Sequence, residues 1–294
     1  MPRLVRRGIE MKILESKAQV REIFHKLYCG DAKIGLVLLK GNIHEGNLSL
    51  IRKAKEMSEK VVVCLCGHTS LLKNIQAFSV IEQNREHDFR ILEQEAVDYA
   101  FVADAARFLP ADHRTYIHPP SFTECFQRLE SEEYLVLLAT VYFKALNLFH
   151  PTFVLMGRNE YTDFFLLKRI IRDYSFSAEV VLCPTVRDEN GIPYSQMYPY
   201  FGEEQRADAA RIYAALRDAR RLLMEGEQSA TVLAASIRSS LGDLQERDPF
   251  FVGILEPETL QRLEKVEQQA VILVIAQSGE FRLVDNIVYR RHEE

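Results

Sequence analysis

Lys40 and His44 lie along Lys40-Gly41-Asn42-Ile43-His44-Glu45-Gly46-Asn47, and their types and spacing could handle a phosphate. The apolar run Ile34–Leu39 before them predicts a strand, and helix-compatible sequence resumes near Leu48. A strand, a turn punctuated by Gly41 and Gly46, and a helix start form the usual phosphate cradle of α/β proteins. The unpaired N–H groups of the helix and its dipole favour an anion. Lys40 would add a full charge, and His44 would donate a hydrogen bond. The same pattern also fits an ordinary turn with a surface histidine, because Gly-x-x-His-x-Gly is short.

Other constellations compete less well. Cys64, Cys66 and His68 alternate, so a continuing strand would put them on one face, as a metal site needs. Cys64 sits in an apolar run, however, where a buried thiol is ordinary. Asp104 ends a third apolar run, and Gly157-Arg158-Asn159-Glu160 ends a fourth. Arg187-Asp188 stands in a turn-rich junction, able to face a ligand or to pair internally. Asp88 reads as a solvated helix charge, and Asp285-Asn286 as an Asx turn or cap after a strand.

These residues must be positioned by a sizeable fold. The chain has 294 residues, 47% hydrophobic and 27% charged, enough for two domains. Its formal charge of -5 gives no general drive toward nucleic acid or an anionic membrane. Five cysteines without framework spacing fit a reducing compartment, and the basic opening lacks the apolar run of a signal peptide. A cytoplasmic protein is expected.

Strands are expected at Ile34–Leu39, Val61–Cys66, Tyr99–Val102, Thr152–Met156 and Glu179–Cys183. Helices are expected at about 48–59, 133–149 and 162–173. Their alternation argues for a doubly wound parallel sheet, whose strand ends would share one crevice. Beyond Pro184 the character changes. A long amphipathic helix at about 203–224 and another helix at about 231–241 precede apolar runs at 253–255, 271–276 and 281–284, the last two joined as a hairpin. The expected organisation is α/β: residues 11–186 as the nucleotide-binding type of domain and 187–290 as a smaller C-terminal α+β domain.

The turn resembles that of the pantothenate synthetase (pantoate–β-alanine ligase) family, within the HxGH nucleotidyltransferase-like superfamily. Supporting markers are Gly41–Gly46, Lys144-Ala145-Leu146-Asn147, Gly157 with Tyr161, Arg187–Gly191 and Arg282-Leu283-Val284-Asp285-Asn286. The resemblance implies a Rossmann-like ATP domain, a smaller lid, a homodimer, and ATP with Mg2+ as cofactors. It implies adenylation of pantoate, then attack by β-alanine and release of AMP. Such chemistry needs positive groups where charge develops on the phosphate, and a site closed to water.

Carried over by that resemblance, the nucleotide-binding positions are Gly41, His44, Gly46, Asn47, Gly157, Arg158, Asn159, Glu160, Arg187 and Ser195. Lys40 and His44 become catalytic candidates, Glu160 the magnesium position, and His68 and Asp163 the acid-binding positions. The departures cluster here. The family's second histidine is Asn47, its phosphate lysine is Asn159, its magnesium aspartate is Glu160, and a further arginine is Met197. Its two pantoate glutamines are Leu71 and Asp163, and its Asn-Pro is His68-Thr69. Lys40 and Arg158 lie beside lost cations and could replace them. These changes point to an ATP-dependent carboxylate–amine ligase using an acid other than pantoate. The alternatives are a non-catalytic homologue retained for binding or assembly, and a weak but genuine pantoate–β-alanine ligase. A small acid and amine are the expected partners, with neither nucleic acid nor membrane.

Overall fold

The computed structural model describes residues 11–40, 42–67, 85–104, 109–110, 112–119 and 131–291. They fall into two compact units that divide between Val186 and Arg187, with residues 131–132 grouped with the second unit. In the first, a six-stranded sheet is parallel throughout, with strands β1 (Lys12–Leu14), β2 (Ile34–Leu39), β3 (Lys60–Gly67), β4 (Tyr99–Asp104), β5 (Phe153–Gly157) and β6 (Glu179–Cys183). The spatial order is β1-β4-β3-β2-β5-β6. From β2 the chain builds outward through β3 and β4 on one side, and from β5 through β6 on the other. The order therefore reverses between β2 and β5, where doubly wound sheets bind their ligands.

Helices cover both faces. Helix α2 (Glu45–Met57) and α3 (Arg85–Gln94) pack over Val37, Leu39, Val61, Val63, Leu65 and Leu155 through Leu50, Ile51, Ala54 and Leu92. Gly35 lets α2 approach closely, since a Cβ there would lie 2.6 Å from Ser58 Oγ and 3.2 Å from Ala54 Cβ. On the other face, Phe24 of α1 (Lys17–Cys29) meets Phe149 of α4 (Glu132–Phe149) edge-on at 5.1 Å, and Phe149 meets Phe101 at 5.6 Å. Continuous burial on both faces explains why these strands read as unbroken apolar runs. Helix α5 (Tyr161–Asp173) follows β5 through a single 3-10 turn, Arg158–Glu160.

The second unit is an antiparallel sheet of β7 (Phe251–Leu255), β8 (Gln269–Ser278) and β9 (Phe281–Arg290), with helices α6 (Glu203–Met224) and α7 (Ala230–Leu241). Its own core joins Ile212, Leu216, Leu233, Ile237, Ile272 and Val274. The expected hairpin is present, with Gly279 in the left-handed region at φ +56°. Asp285 and Asn286 do not cap a strand; they lie inside β9 and are buried. No helix among the described residues is long and apolar enough to cross a membrane.

Candidate active site

The site is built where β2 and β5 end side by side. Each strand leads into a helix, so the N-termini of α2 and α5 neighbour one another at the reversal of strand order. Helix N-termini are natural anion sites, by their dipole and by the N–H groups of the first turn.

Helix α2 starts three residues earlier than its apolar pattern suggests, with extended His44 as N-cap. Asn47, in the first turn, turns its side chain back so that Oδ1 accepts from the His44 N–H at 3.2 Å. The Asn47 side chain is thus committed to closing the first turn of the helix. Asp88 fixes the turn from outside, accepting from the Ile43 N–H at 3.1 Å. It is buried, not solvated, and burial raises its carboxyl above the ordinary range although the Ile43 N–H pulls it down. No local pattern signals this role, because the partner lies 45 residues away.

His44 keeps Nδ1 buried without a hydrogen-bond partner. Desolvation lowers its pKa to about 4, against a smaller pull upward from Glu160. The imidazole is therefore neutral at physiological pH and can donate through one nitrogen only.

Helix α5 carries two carboxylates at its own N-terminus. Glu160 precedes its first residue and Asp163 lies in the first turn, where carboxylates complement the dipole. Both close on Lys40, which follows β2. Lys40 Nζ donates to Asp163 Oδ2 and lies 3.3 Å from Glu160 Oε1. Tyr142 of α4 donates its hydroxyl to the same Asp163 oxygen at 2.8 Å. Burial opposes the ammonium, but Glu160, Tyr142 and Tyr134 outweigh it and hold the Lys40 pKa well above the ordinary lysine value. Lys40 and Asp163 are 17% and 13% exposed, against 41% for Glu160.

The remaining expectations divide by position. Gly157 ends β5, and Arg158 and Asn159 stand in the strand-to-helix turn after it. The Arg158 charge is felt by the Cys183 thiol of β6, on the opposite side of β5 from Lys40. Gly46 lies in the first turn of α2. Arg187 donates to Asp285 at 2.6 and 2.8 Å and to the Gly191 carbonyl at 2.9 Å, and it stacks on Tyr213 with its centre 4.0 Å from the ring. That geometry makes Arg187 an internal anchor of the second unit. Ser195 is in the same unit, where its carbonyl accepts from the Tyr198 N–H at 3.1 Å. Gly41, His68 and Leu71, with the side chains of Cys66 and Asp104, lie outside the described residues.

The expected ATP and Mg2+ fit these residues in part. The orphaned His44 Nδ1 at a helix N-terminus is the kind of atom a phosphate oxygen satisfies. Magnesium is ordinarily held by one or two carboxylates together with phosphate oxygens, and Glu160 offers a partly exposed carboxylate. Among the described residues no three His, Cys, Asp or Glu side chains gather to hold a metal alone. Magnesium here would depend on the nucleotide.

A doubly wound parallel sheet with two helix N-termini at its reversal point defines a nucleotide-binding type of α/β protein. The family model described as Pantoate-beta-alanine ligase matches residues 12–288. The chain belongs to that family. Pantothenate synthetase of Thermodesulfovibrio yellowstonii is 28% identical over 278 residues, covering 95% of this chain and 99% of its own. Pantothenate synthetase of Thermotoga petrophila is 27% identical with the same coverage. Among solved structures, pantothenate synthetase from Thermus thermophilus superposes with a TM-score of 0.82 at 24% identity, covering 94% of this chain and 99% of that one. The ligase from Francisella tularensis, complexed with beta-gamma ATP and beta-alanine, gives 0.72 at 22% identity, covering 97% and 99%. The family match and the two sequence relatives support an ATP-dependent ligase mechanism of the pantothenate synthetase type, and the solved structures show the shared fold.

Proposed function

We propose that the chain is an AMP-forming ligase that activates pantoate as its acyl adenylate and joins it to β-alanine. The observation that carries this is the match through both units, residues 12–288, to a family whose similar members are pantothenate synthetases. The expectation of a different acid rested on Leu71 and Asp163, and nothing in the relatives or the fold favours another acid over pantoate. His44 at the α2 N-terminus would donate to the reacting phosphate, Glu160 would present a carboxylate to magnesium, and Gly157 with Asn159 would border the nucleotide. A homodimer in the cytoplasm completes the reading.

Two observations favour a second reading, a non-catalytic homologue. Asn47 is committed to the helix cap, and Lys40 is held by two carboxylates. The test is AMP and pyrophosphate release by the purified chain with ATP, Mg2+, pantoate and β-alanine. Turnover is expected, and His44→Ala should lower it by about 10²–10³-fold, the usual cost of one donor at developing charge. ATP that fails to bind at millimolar concentration would leave only the non-catalytic reading.

A further inference from the structure

Lys40 is the cation that β2 delivers to the reversal point, yet its ammonium faces the chain's own carboxylates. The arrangement is lopsided. Asp163 Oδ2 accepts from both Lys40 and Tyr142, so it keeps a partner when Lys40 leaves. Glu160, 41% exposed, can turn to water. Lys40 has no comparable substitute among these residues. Once the carboxylates withdraw, its charge is open to an incoming anion. The cluster of Lys40, Glu160 and Asp163 carries one positive and two negative charges, so a negatively charged ligand is repelled until a carboxylate is displaced.

We infer that Lys40 is the anion anchor of this crevice and that Asp163 masks it. An anionic oxygen of the ligand, carboxylate or phosphoryl, draws the Lys40 ammonium off the Asp163 carboxylate, whose oxygen stays on the Tyr142 hydroxyl. A masked site binds with an affinity reduced by the fraction of time it stands open. The inference rests on the ligase reading only for its choice of probes.

The experiment is calorimetric titration of the full chain and of Asp163→Asn, Lys40→Met and the double variant, using pantoate and inorganic pyrophosphate separately. Asp163→Asn keeps an oxygen for Tyr142 and should bind one probe about tenfold more tightly than the unaltered chain. The double variant should lose that gain. A gain for pantoate alone assigns the anchor to the acid carboxylate, and a gain for pyrophosphate alone assigns it to the nucleotide phosphates. No gain in Asp163→Asn overturns the inference, as does a gain that persists without Lys40, which would be a bulk charge effect. Asp163→Gln is the second neutral variant. If neither neutral variant folds, the pair is a structural clamp and the inference fails. Binding is read without turnover, so an unaltered chain that forms no AMP, together with a Lys40-dependent gain in Asp163→Asn, sinks the ligase reading and leaves the mask standing.

Discussion

Burial takes His44 out of the range in which histidine ordinarily titrates, and the consequence has a definite sign. Its folded pKa of about 4 lies below the unfolded value near 6.5, so the unfolded chain binds more protons between those limits. The associated stability is complete above about pH 6.5 and is lost as pH falls toward 4, with a ceiling on the order of 3 kcal/mol. Carbon-bound proton shifts of His44 in an NMR titration should place its midpoint near 4; a midpoint near 6.5 would show that the imidazole is solvated. At this scale the sequence was informative about identity and silent about partners. Asn47 was legible as a polar residue of the turn, but its use as a cap depends on where the helix starts. Lys40 was readable as a free cation only because Asp163 lies 123 residues away. Asp88 was misread for the same reason, since a carboxylate's burial is decided by what folds over it.

Elements were far more legible than the contacts between them. The unbroken run Val61–Cys66 and the alternation of strand with helix follow from a parallel sheet covered on both faces, so local pattern and global fold agree. Strand β1 was missed because Lys12–Leu14 has too few residues to show a period. The start of α2 was misplaced because Glu45, Gly46 and Asn47 lack apolar character, although capping favours them there. Gly35 was also opaque, since its purpose is the closeness of α2. A Gly35→Ala methyl would meet Ser58 Oγ at 2.6 Å, forcing α2 and its N-cap His44 outward. The expected cost is about 1–3 kcal/mol, or roughly 2–10 °C in melting temperature. Adding Ser58→Ala should restore part of it, because the Ser58 hydroxyl is buried without a partner and its loss makes room. A Gly35→Ala chain as stable as the parent would show that α2 does not need the close approach.

At the scale of the molecule, the turn-rich stretch Arg187–Pro193 separates two units with separate hydrophobic cores. Its composition suggested a boundary, but not the part its charges play. Arg187 crosses 98 residues of sequence to Asp285 in β9, where the pair is 14% and 4% exposed. Gly191 lies tight against the Tyr213 ring, which carries the guanidinium on its face, and Asp188 accepts from the Tyr198 hydroxyl at 2.8 Å. These contacts stay within the second unit and fold the junction onto it. Removing one partner of a buried pair leaves the other charge uncompensated, at a cost of about 3–5 kcal/mol. If residues 11–186 and 187–290 are separate folding domains, as we propose, Arg187→Met should lower that stability in the second alone. Amide hydrogen exchange would then show β8 and β9 losing protection by two to three orders of magnitude while β2, β3 and β5 keep theirs. Loss of protection in all five strands together would mean that the two cores open as one cooperative unit and that the boundary at Arg187 is one of chain contacts only.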